Sequence, residues 1–325
     1  MRTPTAPRTA VAPAPQTLPT DPVDRTDRRR GLQLVLGILL FLGAQVVMAG
    51  VAGLATAASG APADAGPAPW ALLLSAVVGA ALAFGGYLLI VGRVGGRPGL
   101  ALRGRGRLVE LMAGLALGVG LIALSVGVIT LLGGYRVTGF SPSPQLLVPL
   151  AIGLGAGVVE EIAFRGVVLR VLDAWLGSWA ALAISSLLFG LIHLTNPGAS
   201  LVTALGLVIE AGVLLGAAYL LTRRLWLAIG LHIAWNTVQA GVFSSAVSGT
   251  GKQNGLLVAE TTGPTWLTGG AMGVEGSLVS VLLGLAVGIV MLVLAARRGR
   301  LLPSVRAERV GPAEHSGRGL SSSAR

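Results

Sequence analysis

Val158–Val159–Glu160–Glu161–Ile162–Ala163–Phe164–Arg165 sets two carboxylates and a guanidinium inside an otherwise apolar run, 146–170. A run of about 18 or more apolar residues can cross a bilayer as a helix. Each ionisable group within such a run costs roughly 2.5–3.5 kcal/mol on insertion scales, so three together need a reason. Glu161 and Arg165 are four residues apart, share one helix face and can pair, which lowers the cost of both. A structural ion pair locking two helices accounts for them. Glu160 projects about 100° away around the helix and has no cation beside it, so the ion pair does not account for Glu160.

The same length criterion marks further spans near 32–57, 70–91, 108–132, 177–195, 201–222, 225–247 and 276–296. The expected fold is an all-α polytopic membrane helical bundle of about eight transmembrane helices. Barrel strands would be about ten residues long with strict alternation. Composition agrees: of 325 residues, 53% are hydrophobic and 11% charged, with a mean hydropathy of +0.80. The expected division is a disordered cytoplasmic tail over 1–31, a transmembrane domain over 32–296, and a basic, disordered cytoplasmic tail over 297–325 that includes His315. The run 32–57 is too long for a signal peptide's apolar region, despite the small residues Ala57–Ala58–Ser59, and is expected to be a retained first span.

The net charge is +11, from 24 Lys and Arg against 13 Asp and Glu. The arginines cluster just outside the apolar runs, at 93, 97, 103, 105 and 107, at 170, at 223 and 224, and at 297, 298 and 300. The opposite connections carry only Arg136 and Lys252, with Asp64, Glu260 and Glu275. This asymmetry puts both termini on the cytoplasmic side of a cell membrane. It offers no aromatic-interleaved basic patch for nucleic acid. With no cysteine, disulfides, thiol nucleophiles and iron–sulfur clusters are excluded.

Two histidines fall in the membrane part of the chain. His193 ends Phe189–Gly190–Leu191–Ile192–His193, and His232 opens His232–Ile233–Ala234–Trp235–Asn236. A lone buried His is more often a satisfied core residue than a catalyst. Two of them with a Glu pair point to chemistry. His232 and Asn236 share a helix face and could direct N–H donors to one point, as oxyanion stabilisation needs. If the chain turns near Gly177, Glu160 and His193 lie at matching depth in a hairpin. His232 stands only eight residues from Arg224, so the hairpin must reach beyond the membrane surface by roughly 12 Å, leaving Arg170 and Asp173 in cytosolic water. Thr195–Asn196–Pro197–Gly198 must then climb through the bilayer irregularly, which is tolerated only where backbone is buried in protein or lines a cavity.

Glu-Glu-x-x-x-Arg, Phe-x-x-x-His and His-x-x-x-Asn, in that order on successive apolar helices, resemble the CAAX prenyl protease and bacteriocin-processing (Abi) family over residues 146–247. Thr262–Gly263–Pro264–Thr265–Trp266–Leu267–Thr268–Gly269–Gly270, followed by Glu275–Gly276–Ser277, is similar to a segment common in bacterial members. The resemblance implies an intramembrane endopeptidase, related to the enzyme that trims prenylated C-termini, acting on a peptide or protein that enters from the membrane or the cytosol. It further implies that Glu160 and His193 polarise a water, that His232 and Asn236 stabilise the tetrahedral intermediate, and that Glu161 and Arg165 hold the base. No cofactor is expected. A zinc form with Glu160, His193 and His232 as ligands is the alternative, although the usual His-Glu-x-x-His is absent. A proton- or ion-coupled transporter using the Glu/His cluster, to which Glu210 in the sixth span would add an acid, is the other alternative. Against it, the buried polar chemistry lies in the second half of the chain, with no repeated counterpart in the first.

Overall fold

The computed structural model describes residues 29–304, apart from 61, 63–65, 98, 100 and 144. Most of both expected tails, His315 and Asp64 lie outside the described residues. Among the described residues seven helices are long and apolar enough to cross a membrane: Arg30–Ala58, Pro69–Val94, Arg107–Leu131, Leu147–Leu176, Ser178–Thr195, Leu201–Thr222 and Leu278–Arg297. Large side chains such as Leu39, Leu42, Val46 and Leu54 on the first helix face outward, as lipid contact requires and water would penalise. This is a multi-pass membrane protein.

In chain order the elements are α1 (Arg30–Ala58), α2 (Pro69–Leu89), α3 (Arg107–Leu131), β1 (Tyr135–Phe140), α4 (Leu147–Glu161), α5 (Arg170–Leu176), α6 (Ser178–Ile192), α7 (Leu201–Leu207), α8 (Val213–Thr222), α9 (Trp226–Gly241), β2 (Leu257–Thr261), α10 (Thr265–Thr268) and α11 (Leu278–Arg297). Two spans are interrupted by π-helical turns. Ile162–Leu169 joins α4 to α5, and Val208–Gly212 joins α7 to α8. Such turns displace carbonyls from the regular i→i+4 ladder and recur at functional sites. One begins directly after Glu161 and the other contains Glu210.

The eighth apolar run departs from expectation. Its helix, α9, ends at Gly241 after 16 residues instead of continuing to 247. At ~1.5 Å per residue it is about 24 Å long, short of a full bilayer core. The chain then turns back through Ser244, at φ 52°, and Gln239 Nε2 donates to the Ala246 carbonyl at 2.5 Å. α9 is largely buried between α3 and α4. Glycine allows that close approach. A Cβ at Gly118 of α3 would strike the Leu231 carbonyl, and one at Gly157 of α4 would lie 2.5 Å from Ile233 Cγ1 and 2.9 Å from its backbone nitrogen. Helix association in a bilayer depends on such packing, because lipid tails are as apolar as leucine.

Beyond α9 the connection folds back on the bundle. β2 pairs antiparallel with β1, Tyr135 opposite Thr261 and Phe140 opposite Leu257, a two-stranded ribbon not foreseen from the sequence. The segment 196–198 is irregular and is seated on this connection. Asn196 Nδ2 donates to the Ser248 carbonyl at 2.6 Å and Gly198 N–H to the Gly249 carbonyl at 2.9 Å. Its backbone groups are thus satisfied inside protein.

At the arginine-rich end, Arg170 and Asp173 are buried rather than placed in water. Arg170 Nε donates to the Gly166 carbonyl at 2.7 Å and its guanidinium also reaches Gln33 on α1. Asp173 accepts from Ser178 Oγ at 2.6 Å and pairs with Arg223. Partners from other helices offset the cost of burying both charges, and those partners could not be read from one helix alone.

Candidate active site

Glu160 and Glu161 end α4, Arg165 lies in the π-turn after it, His193 directly follows α6, and His232 and Asn236 lie one turn apart on α9. Glu161 and Arg165 are fully buried and pair at 2.8 Å. Arg165 also donates to the carbonyls of Ala211 and Gly212, at 3.0 and 3.3 Å, where the second π-turn joins α8. Its guanidinium carbon lies 4.4 Å from the Phe189 ring centroid, a favourable cation–π contact. One side chain therefore ties α4, α6 and α8 together.

Glu161 reaches α9 as well as Arg165. Its Oε1, already bonded to Arg165, lies 2.9 Å from Nδ1 of His232. A carboxylate can only accept, so Nδ1 carries the proton and Nε2 faces away from Glu161. The depth of Glu161 on α4 and that of His232 on α9 are set by different spans, so no single motif revealed the pairing.

Glu160 and His193 form a separate pair, with Oε2 and Nε2 4.0 Å apart. His193 Nδ1 is 2.7 Å from the Phe189 carbonyl, which also only accepts. In the neutral ring Nε2 then keeps its lone pair toward Glu160. Glu160 Oε2 is buried and has no hydrogen-bond partner among the described residues. Two acceptors 4.0 Å apart are too distant for a direct hydrogen bond and suit one bridging water.

Phe189 is a site residue the sequence reading left unassigned. Its carbonyl fixes His193, and its ring centroid lies 4.9 Å from that of His193, 6.1 Å from that of His232 and 5.2 Å from that of Phe164. Its position four residues before His193 was the available signal. Glu210, Ser248 and Glu275 are also near. With His232, Asn236 and Phe189 they line a cavity of about 330 Å³ including its mouth. Glu275 precedes α11 in the chain and is buried, and its Oε1 accepts the Ser248 N–H. Burial pushes its carboxyl above the usual range, against that hydrogen bond and the nearby His193 and His232.

The zinc alternative requires Glu160, His193 and His232 to converge. Among the described residues no group of three or more His, Asp or Glu side chains is arranged to hold a metal ion.

Residues 142–238 match the family model of the type II CAAX prenyl endopeptidase, Rce1-like. The site-bearing segment is Rce1-like. No curated protein and no solved structure matches the chain. The Rce1-like segment contains all six residues singled out by the three motifs, as well as Phe189 and Glu210. It ends within α9, before Ser248 and Glu275.

Proposed function

We propose that this chain is an intramembrane endopeptidase in which Glu160 and His193 activate a water, and that it works without a metal. The observation that carries the reading is the Oε2–Nε2 separation of 4.0 Å, with both atoms able to accept. A water donating one proton to each keeps a lone pair free for attack. As its oxygen bonds to the scissile carbonyl carbon, Glu160 takes the proton. The carbonyl π electrons move to oxygen, giving a tetrahedral oxyanion. Collapse breaks the C–N bond, and the departing amine takes the proton from Glu160. The products are a new carboxyl terminus and a new amine.

Asn236 Nδ2–H and His232 Nε2–H serve as oxyanion donors. His232 already gives Nδ1–H to Glu161, so it donates from Nε2 as an imidazolium whose charge Glu161 balances. Glu161 and Arg165 thus act as positioning residues for His232. The stabilisation is large because donors fixed in a water-poor site need no reorganisation during reaction. The substrate is a peptide or protein segment, reached from the membrane or the cytosol. By the arginine asymmetry, both termini of the enzyme face the cytoplasm of the cell membrane.

The test is a comparison of protein termini in membranes from cells producing the wild type or Glu160→Gln. A set of new termini present only with the wild type is expected. Identical sets of termini would remove the peptidase reading.

A further inference from the structure

The cavity beside His232 and Asn236 has a second acidic wall that the proposed hydrolysis does not use. Glu210, on the π-turn before α8, is 1% exposed, and its Oε2 is buried with no hydrogen-bond partner among the described residues. Glu275 is 3% exposed and lines the same cavity. The cations nearest by, Arg165 and His232, are both committed to Glu161, so neither neutralises Glu210 or Glu275. Buried carboxylates in such excess favour a cation among them.

We propose that Glu210 and Glu275 form a binding subsite for a primary ammonium group of the substrate, a lysine side chain or an amino terminus. Size selects the ammonium. The cavity has free room for about one water, which suits an ammonium head of similar size better than a planar guanidinium. Leu207, Leu214 and Leu215 line the cavity and offer an aliphatic stem an apolar wall. His232 and Asn236 border the same cavity, so a bound ammonium would set the register of the scissile bond against the oxyanion donors. Specificity then comes from a group that leaves buried carboxylates unpaired when it is absent.

The inference rests on the peptidase reading for its purpose, but its first test does not need activity. Thermal unfolding of the full chain in detergent is followed with n-butylammonium, n-butylguanidinium or n-butanol. n-Butylammonium should raise Tm saturably by about 3 °C in the wild type and in Glu160→Gln, with smaller shifts from the other two probes. Glu275→Gln and Glu210→Gln should lose the shift. Equal responses to all three probes in the wild type, which need no variant to fold, would overturn the subsite. So would a butylammonium shift that survives in the Gln variants. The second test compares cleaved peptides carrying Lys or norleucine at one position. A preference for Lys of about tenfold or more should vanish in Glu275→Gln. Butylammonium binding with no peptide cleaved would leave the subsite standing and remove the peptidase reading. Cleavage without butylammonium binding would do the reverse.

Discussion

Glu161 Oε1 lies 2.9 Å from His232 Nδ1 while also accepting from Arg165 at 2.8 Å, so the ion pair of α4 orients the imidazole of α9. The structural lock and the proposed catalytic arrangement share one network. A change to the lock should reach the chemistry through His232.

Arg165→Ala should destabilise the protein by about 3–5 kcal/mol, because Glu161 stays buried without its cation and two carbonyls near the second π-turn lose their donor. Thermal unfolding in detergent and the amount of protein in membranes measure this. A variant that melts and accumulates like the parent would show that Arg165 does not hold the bundle.

Gly157→Ala should cost about 1–3 kcal/mol as an overpacked contact, since the added methyl meets Ile233 of α9. Activity should fall more than stability, because α9 carries both proposed oxyanion donors and a shift of ~1 Å can cost about 10²-fold. Gly43→Ala, where a Cβ meets nothing within 4 Å, should be neutral in both measurements.

Much of this was legible because a bilayer makes polar residues conspicuous. The apolar runs located seven membrane-length helices within a few residues, and the turn at Gly177, where φ is 86°, placed Glu160 and His193 at one depth. The Glu161–His232 contact was hidden because it depends on how deep α9 sits, which the glycines of α3 and α4 decide. Asp173 was misplaced in water because its partner, Arg223, lies 50 residues away. Glu275 was counted as a loop charge. Its burial follows from the fold-back of 242–277, for which apolar periodicity gives no signal.

Raised proton affinity at Glu275 gives a pH dependence with a definite sign. The folded chain holds that proton more tightly than the unfolded chain, because burial disfavours the carboxylate. Its contribution is fully present below the ordinary glutamate pKa of about 4.3 and is lost as pH rises through the folded value. Wild type should therefore lose Tm relative to Glu275→Gln as pH is raised from about 5 to about 8. Parallel Tm profiles for the two proteins would contradict the assignment.

Topology can be read by cysteine labelling, since the native chain has no cysteine. A cysteine at Arg105 should be reached from the cytoplasmic side and one at Asn254 only from the other side. Both positions are exposed. Cytoplasmic labelling of Asn254→Cys in intact cells would invert the arrangement.

The central claim, that Glu160 serves as the base for a water shared with His193, is tested most directly by the turnover of Glu160→Gln on a peptide the wild type cleaves. Gln keeps the size of the side chain and removes its basicity, so turnover should drop by about 10² or more while Tm stays near the parent value. Turnover equal to wild type in a normally folded Glu160→Gln protein would contradict the account.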